Sequence, residues 1–181
     1  MIRMPDRNAL DNARRLRPAV LALGSNLGDR GELLRAAVDA LRATGGIEVR
    51  AVSPVVESVA LKLDGADASA PRYLNAVVLV DTLLTPAELL AEAHRIEAEH
   101  GRVREERWGD RTLDIDIVDY DGLESADPEL TLPHPRAAER AFVLAPWLAV
   151  DPDAAVPGVG RVDALLAAIG DDTVRAEGVE L

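Results

Sequence analysis

Asp114 and Asp116 are separated by a single residue in the run Arg107-Trp108-Gly109-Asp110-Arg111-Thr112-Leu113-Asp114-Ile115-Asp116-Ile117. Alternation of Leu113, Ile115 and Ile117 with the two acids is the pattern of a strand, in which successive side chains face opposite sides. Both carboxylates would then stand on one face, their Cα atoms roughly 6–7 Å apart at the rise of a strand. That span suits two divalent cations held about 3.5–4 Å from one another. Two adjacent carboxylates repel unless positive charge lies between them or one is protonated. Oxygen-only donors favour Mg²⁺, and a chain with no Cys and three scattered His offers no zinc pattern.

Alone, such a pair describes the wet face of an amphipathic strand. Its neighbours turn the reading toward chemistry. Arg102, Arg104, Arg107 and Arg111 cluster just upstream, in a chain of net charge −12. The guanidinium fork matches phosphate oxygens bidentately, so a local basic cluster on an acidic protein points to a compact anion such as a phosphate chain. No P-loop is present: G-x-x-x-x-G-K-[ST] does not occur, and Lys62 is the only lysine. Gly24-Ser25-Asn26-Leu27-Gly28-Asp29 reads as a structural strand-to-helix turn, with glycine supplying positive φ and Asp29 capping. With five aromatic residues in the chain, Tyr73 and Phe142 are either core residues or stacking surfaces for a planar ring. His134, before Pro135, reads as a helix cap, and His94 and His100 as helix-surface residues.

The elements that must position these groups follow from periodicity and turn chemistry. Residues 19–23 form a short apolar strand closed by Gly24. Asp29 and Glu32 form a capping box before Leu33, Leu34, Ala37, Val38 and Leu41 at helical spacing. Gly45-Gly46 ends that helix. Residues 47–58 are strand-like with Pro54 at an edge or bulge, residues 62–71 a loop, and residues 73–81 a third strand. Thr85-Pro86-Ala87-Glu88 starts a helix whose buried stripe is Leu89, Ala93 and Ile96, and Gly101 stops it. Residues 112–120 are the fourth strand. His134-Pro135 opens a further helix carrying Phe142, Val143 and Leu144, which Pro146 ends or kinks. A last helix spans Val162–Ile169. The order predicts an α+β fold, a ferredoxin-like β-α-β-β-α-β sandwich with helices on one face of an antiparallel sheet and additional C-terminal helices.

At 181 residues, 48% hydrophobic and 29% charged, the chain has the composition of one globular domain. Residues 1–17 are expected to form a leader, disordered and without a signal peptide's apolar stretch; residues 18–181 form the domain. No apolar run reaches the roughly 20 residues of a spanning helix. The absence of Cys excludes a disulfide framework and a thiol nucleophile. A cytoplasmic location is expected, with no membrane partner and, given the negative field, no nucleic-acid partner.

Taken in order, Gly-Ser-Asn-Leu-Gly-Asp, Tyr73-Leu74-Asn75-Ala76, Gly101-Arg102-Val103-Arg104, Arg107-Trp108-Gly109, Arg111-Thr112-Leu113-Asp114-Ile115-Asp116, Leu132-Pro133-His134-Pro135 and Arg140-Ala141-Phe142 resemble the 6-hydroxymethyl-7,8-dihydropterin pyrophosphokinase family, from about Leu21 to Pro152. The resemblance implies 2-amino-4-hydroxy-6-hydroxymethyldihydropteridine diphosphokinase activity: pyrophosphate passes from ATP to the hydroxymethyl group of 6-hydroxymethyl-7,8-dihydropterin and AMP leaves, a step of folate synthesis. It implies that Asp114 and Asp116 bind two Mg²⁺ bridging the ATP phosphates, that Arg102 and Arg111 contact those phosphates, and that Arg104 and Trp108 ride on a loop that closes over the site. Tyr73 and Phe142 would sandwich the pterin while Asn75 bonds its edge. Glu97, His134 and Arg140, with the backbone near Ile117 and Thr131, would line the ATP site. A monomer is expected.

The sequence departs from the family's pattern in three places. Asp110 replaces the usual Pro, adding a carboxylate beside a phosphate site. Pro135 replaces a common Tyr, removing a side-chain contact to ATP. Ser58-Val59-Ala60 replaces Thr-x-Pro and weakens pterin contacts assigned there. Two other readings share the topology: a palm-like nucleotidyl transferase or cyclase, which releases pyrophosphate instead of AMP, and a ferredoxin-like small-molecule-binding regulatory module, which needs no Mg²⁺.

Overall fold

The structure is a computed structural model that describes residues 15–62, 65–67, 71–101 and 112–181, with backbone alone for 60–62 and 65–67. Arg102, Arg104, Trp108 and Arg111 lie outside the described residues, as do residues 1–14.

Strand β1 (Arg17–Ser25) lies at the centre of the sheet, antiparallel to β6 (Tyr73–Thr82) on one side and β7 (Asp114–Tyr120) on the other. Its first residue is anchored by an Arg17–Asp121 ion pair of 2.6 Å. On its far side β6 pairs with β2 (Ile47–Val52) and β3 (Val56–Ser58). Fourth, first, third and second strands of the β-α-β-β-α-β order thus lie side by side, all antiparallel, which is the ferredoxin-like arrangement that the order of elements predicts.

Helix α1 (Arg30–Ala43) starts where the Asp29 carboxylate accepts from the Glu32 backbone N–H, and α2 (Pro86–Glu99) starts with a complete capping box between Thr85 and Glu88. Leu34, Ala37, Val38 and Leu41 of α1 and Leu89, Ala93 and Ile96 of α2 pack on Leu21, Leu23, Val78, Ile115 and Ile117 to make the principal core. The opposite face is also covered. Val20, Val77 and Val118 pack there against α3 (Ala141–Val150) and α4 (Val162–Ile169) through Val143, Leu144, Trp147 and Val162. The additional helices therefore make a third layer.

Three local expectations are corrected. Residues 47–58 are two strands, broken at Ser53–Val55, where the Ser53 hydroxyl accepts from the Val77 N–H; Pro54, with no N–H, cannot continue the ladder. Within the expected loop 62–71, β4 (Ala60–Lys62) and β5 (Gly65–Asp67) pair antiparallel. The helix expected to open at His134-Pro135 is a 3₁₀ turn at Ala137–Glu139; α3 begins at Ala141 and runs past Pro146 to Val150. Burial of Val143, Leu144, Pro146 and Trp147 together outweighs the one ladder bond that a proline removes. Two short pairs, β8 (Ser125–Ala126) with β9 (Thr131–Leu132) and β10 (Ala155–Val156) with β11 (Gly160–Arg161), complete the connections, and β12 (Val174–Arg175) joins the sheet beside β3.

Candidate active site

Ile115 and Ile117 are 2% and 3% exposed in the principal core, so Asp114 and Asp116 project from the opposite face, beside α3. The register sets a row across that face: Asp114 lies opposite Gly24, and Gly24 lies opposite Asn75. At about 4.8 Å per strand spacing, Asp114 and Asn75 stand roughly 10 Å apart with Gly24 as the floor between them. Gly24 does not take a positive φ; Gly28, with φ of 68°, makes the turn. The absence of a side chain at Gly24 matters for space, since a Cβ there would stand 3.3 Å from Asn75 Oδ1 and 3.7 Å from Tyr73 Cδ1.

Asn75 is buried, and its Nδ2 donates to the buried Ser58 hydroxyl at 2.9 Å. The Ser58 departure thus provides an oxygen that orients the asparagine. Tyr73, paired with Ser58 at the end of β6, is half-buried on the same face. Phe142 is half-buried in the first turn of α3 and carries the Arg140 guanidinium 5.6 Å from its ring centroid, a cation–π distance.

Asp116 is the meeting point of the charged groups. His134 Nε2 lies 3.7 Å and Arg140 Nη1 3.5 Å from its Oδ2. Burial first, and Arg140 second, push the His134 pKa down to about 4 against the opposing pull of Asp114, so the ring is neutral near pH 7. The Arg136 N–H donates to His134 Nδ1 at 3.2 Å. In a neutral imidazole the proton is then on Nε2, which presents an N–H toward the carboxylate. The loop holding this ring is tied to β7 by the His134 N–H donating to Val118 O at 2.9 Å.

Glu97 is 1% exposed in the last turn of α2, and its Oε1 accepts from the Ile115 N–H at 2.8 Å. It therefore fixes the strand at the residue between the two aspartates. Ile117 turns its side chain into the core, leaving only its backbone on the site's edge. Thr131 lies in β9, its hydroxyl donating to Asp127 O at 3.0 Å. The fold thus brings Asp114, Asp116, His134, Arg140, Phe142, Tyr73 and Asn75 to one face, while Glu97 acts from beneath it. Gly24 and Ser58 complete the floor. Their part was not legible from residue type; the signal lies in the strand register.

A family model described as 7,8-dihydro-6-hydroxymethylpterin-pyrophosphokinase (HPPK) matches residues 20–152. The chain belongs to this family. It is 45% identical over 140 residues to the 2-amino-4-hydroxy-6-hydroxymethyldihydropteridine pyrophosphokinase of Methylorubrum extorquens, covering 77% of this chain and 86% of the relative. It is 44% identical over 176 residues to the Mycobacterium leprae protein of the same description, covering 90% and 87%. Among solved structures, wild-type Plasmodium falciparum HPPK-DHPS with pteroate superposes with a TM-score of 0.69 at 12% identity over 89% of this chain, which shows a shared fold. The chain spans about half of that longer protein, 48% of its length. No helix among the described residues is long and apolar enough to cross a membrane.

Proposed function

We propose that the chain transfers pyrophosphate from ATP to the hydroxymethyl group of 6-hydroxymethyl-7,8-dihydropterin and releases AMP, a step of folate synthesis. One observation carries the reading: across the Asp114–Gly24–Asn75 row the carboxylate pair and Asn75 share one floor, roughly 10 Å apart. The hydroxymethyl oxygen of a ring held by Asn75, Tyr73 and Phe142 reaches toward a triphosphate held at the aspartates. Family membership supports the same assignment.

The donor set fits Mg²⁺. Among the described residues no group of three His, Cys, Asp or Glu side chains could hold a metal. Mg²⁺ is commonly held by one or two carboxylates with substrate phosphates and water supplying the rest. Asp114 and Asp116 would hold two such ions, which when bound neutralise developing charge on the phosphates. In the transfer the hydroxymethyl oxygen gives up its proton to water and forms a bond to the β-phosphorus, the bond from that phosphorus to the bridging α–β oxygen breaks, and AMP keeps the bridging oxygen. His134 presents an N–H and so acts as a donor, not as the base. Arg140 adds a positive charge beside Asp116, and Arg102 and Arg111 are proposed to hold the phosphates, with Arg104 and Trp108 on a closing loop. Positioning of this kind provides effective molarities of roughly 10⁵–10⁸ M. We take residues 18–181 as one catalytic domain acting as a cytoplasmic monomer.

Incubation with ATP, Mg²⁺ and the hydroxymethyl-dihydropterin should yield AMP and the pterin pyrophosphate. Release of inorganic pyrophosphate would support the nucleotidyl-transferase reading instead. Metal-independent binding without turnover would support a sensing module.

A further inference from the structure

Residues 170–181 lie beyond the segment that the family model matches, yet they are built into the sheet that carries the site. After α4, Gly170 turns the chain with φ of 82°. Asp171 Oδ1 then accepts from the Thr173 N–H at 3.0 Å and the Thr173 hydroxyl at 2.6 Å. Val174 and Arg175 pair antiparallel with Glu57 and Val56, and the Ala176 N–H donates to Val55 O at 2.9 Å. Farther on, Ala176, Val179 and Leu181 pack on the principal core. Val179 Cγ1 lies 3.4 Å from where a Cβ on Gly31 would stand, at the first turn of α1.

The strand so covered is β3, three residues long. Its other edge pairs with β6, and it ends at Ser58, the residue whose hydroxyl holds the Asn75 amide. A strand this short, paired on one side only, holds its place weakly. A cavity of about 300 Å³ is lined by Ser58 and Val59 at the end of β3, by Arg140 and Phe142, and by Asp171 and Asp172 of the following segment. The segment therefore both pins the β3 wall and closes one side of the space beside Phe142.

We propose that residues 170–181 are a positioning strap that fixes the Ser58 wall of the ring pocket and so sets the affinity for the pterin without acting on ATP. The proposal rests on the pyrophosphokinase reading. When the wall moves, only the fraction of molecules with Ser58 in place binds the ring, and the apparent affinity falls by that fraction. The nucleotide side is built on β7, the 3₁₀ turn and α2, none of which the strap pairs with.

Three variants test this: deletion of residues 173–181, which leaves Asp171 and Asp172 in the cavity beside Arg140, Ala176→Pro, which removes the N–H donor to Val55, and Val179→Ser, which removes packing at Gly31. KM for the pterin and for ATP, and amide exchange of residues 55–59, are compared with the intact chain. The deletion should raise the pterin KM about tenfold, equivalent to about 1.4 kcal/mol, with smaller rises for the point variants. KM for ATP should stay within about twofold, since no contact to the nucleotide side is removed, and exchange at 55–59 should accelerate. Should the deletion fail to fold, Ala176→Pro and Val179→Ser decide. Folded variants with an unchanged pterin KM, or with both KM values rising together, overturn the strap. Absence of AMP from the intact chain overturns the pyrophosphokinase reading itself, and the strap's catalytic role with it.

Discussion

Truncating Glu97 to alanine tests whether the aspartate pair is held in place from beneath. The carboxylate is buried and accepts the Ile115 N–H at 2.8 Å. Removing it leaves that amide without its acceptor in a site closed to water, at a cost of about 1–3 kcal/mol. For a protein of this size each kcal/mol lowers Tm by about 2–4 °C, so a fall of about 2–12 °C is expected. Ile115 stands between Asp114 and Asp116, so the loss should also loosen the aspartate pair proposed to hold Mg²⁺. Supporting residues of this kind typically change metal affinity or activity by about 10–100-fold. Glu97→Gln keeps a carbonyl acceptor at nearly the same volume and should lose far less. Thermal unfolding of the three proteins, with AMP formation titrated against Mg²⁺, reads both effects. If Glu97→Ala melts at the wild-type temperature, the buried bond contributes nothing. If it melts lower but keeps the wild-type Mg²⁺ dependence, Glu97 supports only the fold.

Asp114→Ala or Asp116→Ala should lower turnover by about 10²–10³-fold, a few kcal/mol of lost charge stabilisation, while the far-ultraviolet circular dichroism stays unchanged; near-normal kcat at saturating Mg²⁺ would defeat the metal assignment. Gly24→Ala puts a methyl 3.3 Å from Asn75 Oδ1 and should raise the pterin KM by about 3–10-fold, because displacements of 1 Å can cost about 100-fold; an unaltered KM would remove Gly24 from the site floor. Burial raises the Asp119 pKa above the ordinary carboxylate value, against backbone hydrogen bonds from Gly122 and Tyr120. The folded state then holds this proton more tightly than the unfolded chain, so the group's contribution to stability is present below the unfolded value of about 3.9 and is lost as pH rises through the raised folded value. Urea unfolding of wild type and Asp119→Asn should show the wild type losing ground to the variant as pH rises above the unfolded value, and a constant difference refutes it.

Local chemistry made much of this protein legible. The Thr85–Glu88 box, the Asp29 cap and the glycine stops mark helix ends because capping and positive φ are satisfied within a few residues. The period-two alternation of Leu113, Ile115 and Ile117 put both aspartates on one face, since a strand has only two. The order of elements predicted a ferredoxin-like antiparallel sheet. Sequence alone did not reveal that α3 continues through Pro146, because the helix is held by packing on Val77 and Val118, or that residues 47–58 break at Ser53, where the hydroxyl bonds a strand distant in the chain.

The sequence by itself determined which groups could do chemistry: two acids at strand spacing, a cluster of arginines, a few aromatic residues and a histidine before proline. Only the tertiary structure decided how they meet. Gly24 became a floor because β1 lies between β6 and β7 in that register. Ser58 became the partner of Asn75, and Glu97 the anchor of Ile115. Residues 170–181 became the neighbour of β3. Each of these depends on pairing between segments 17 or more positions apart, and short-range propensity carries no information about which distant backbone will lie alongside.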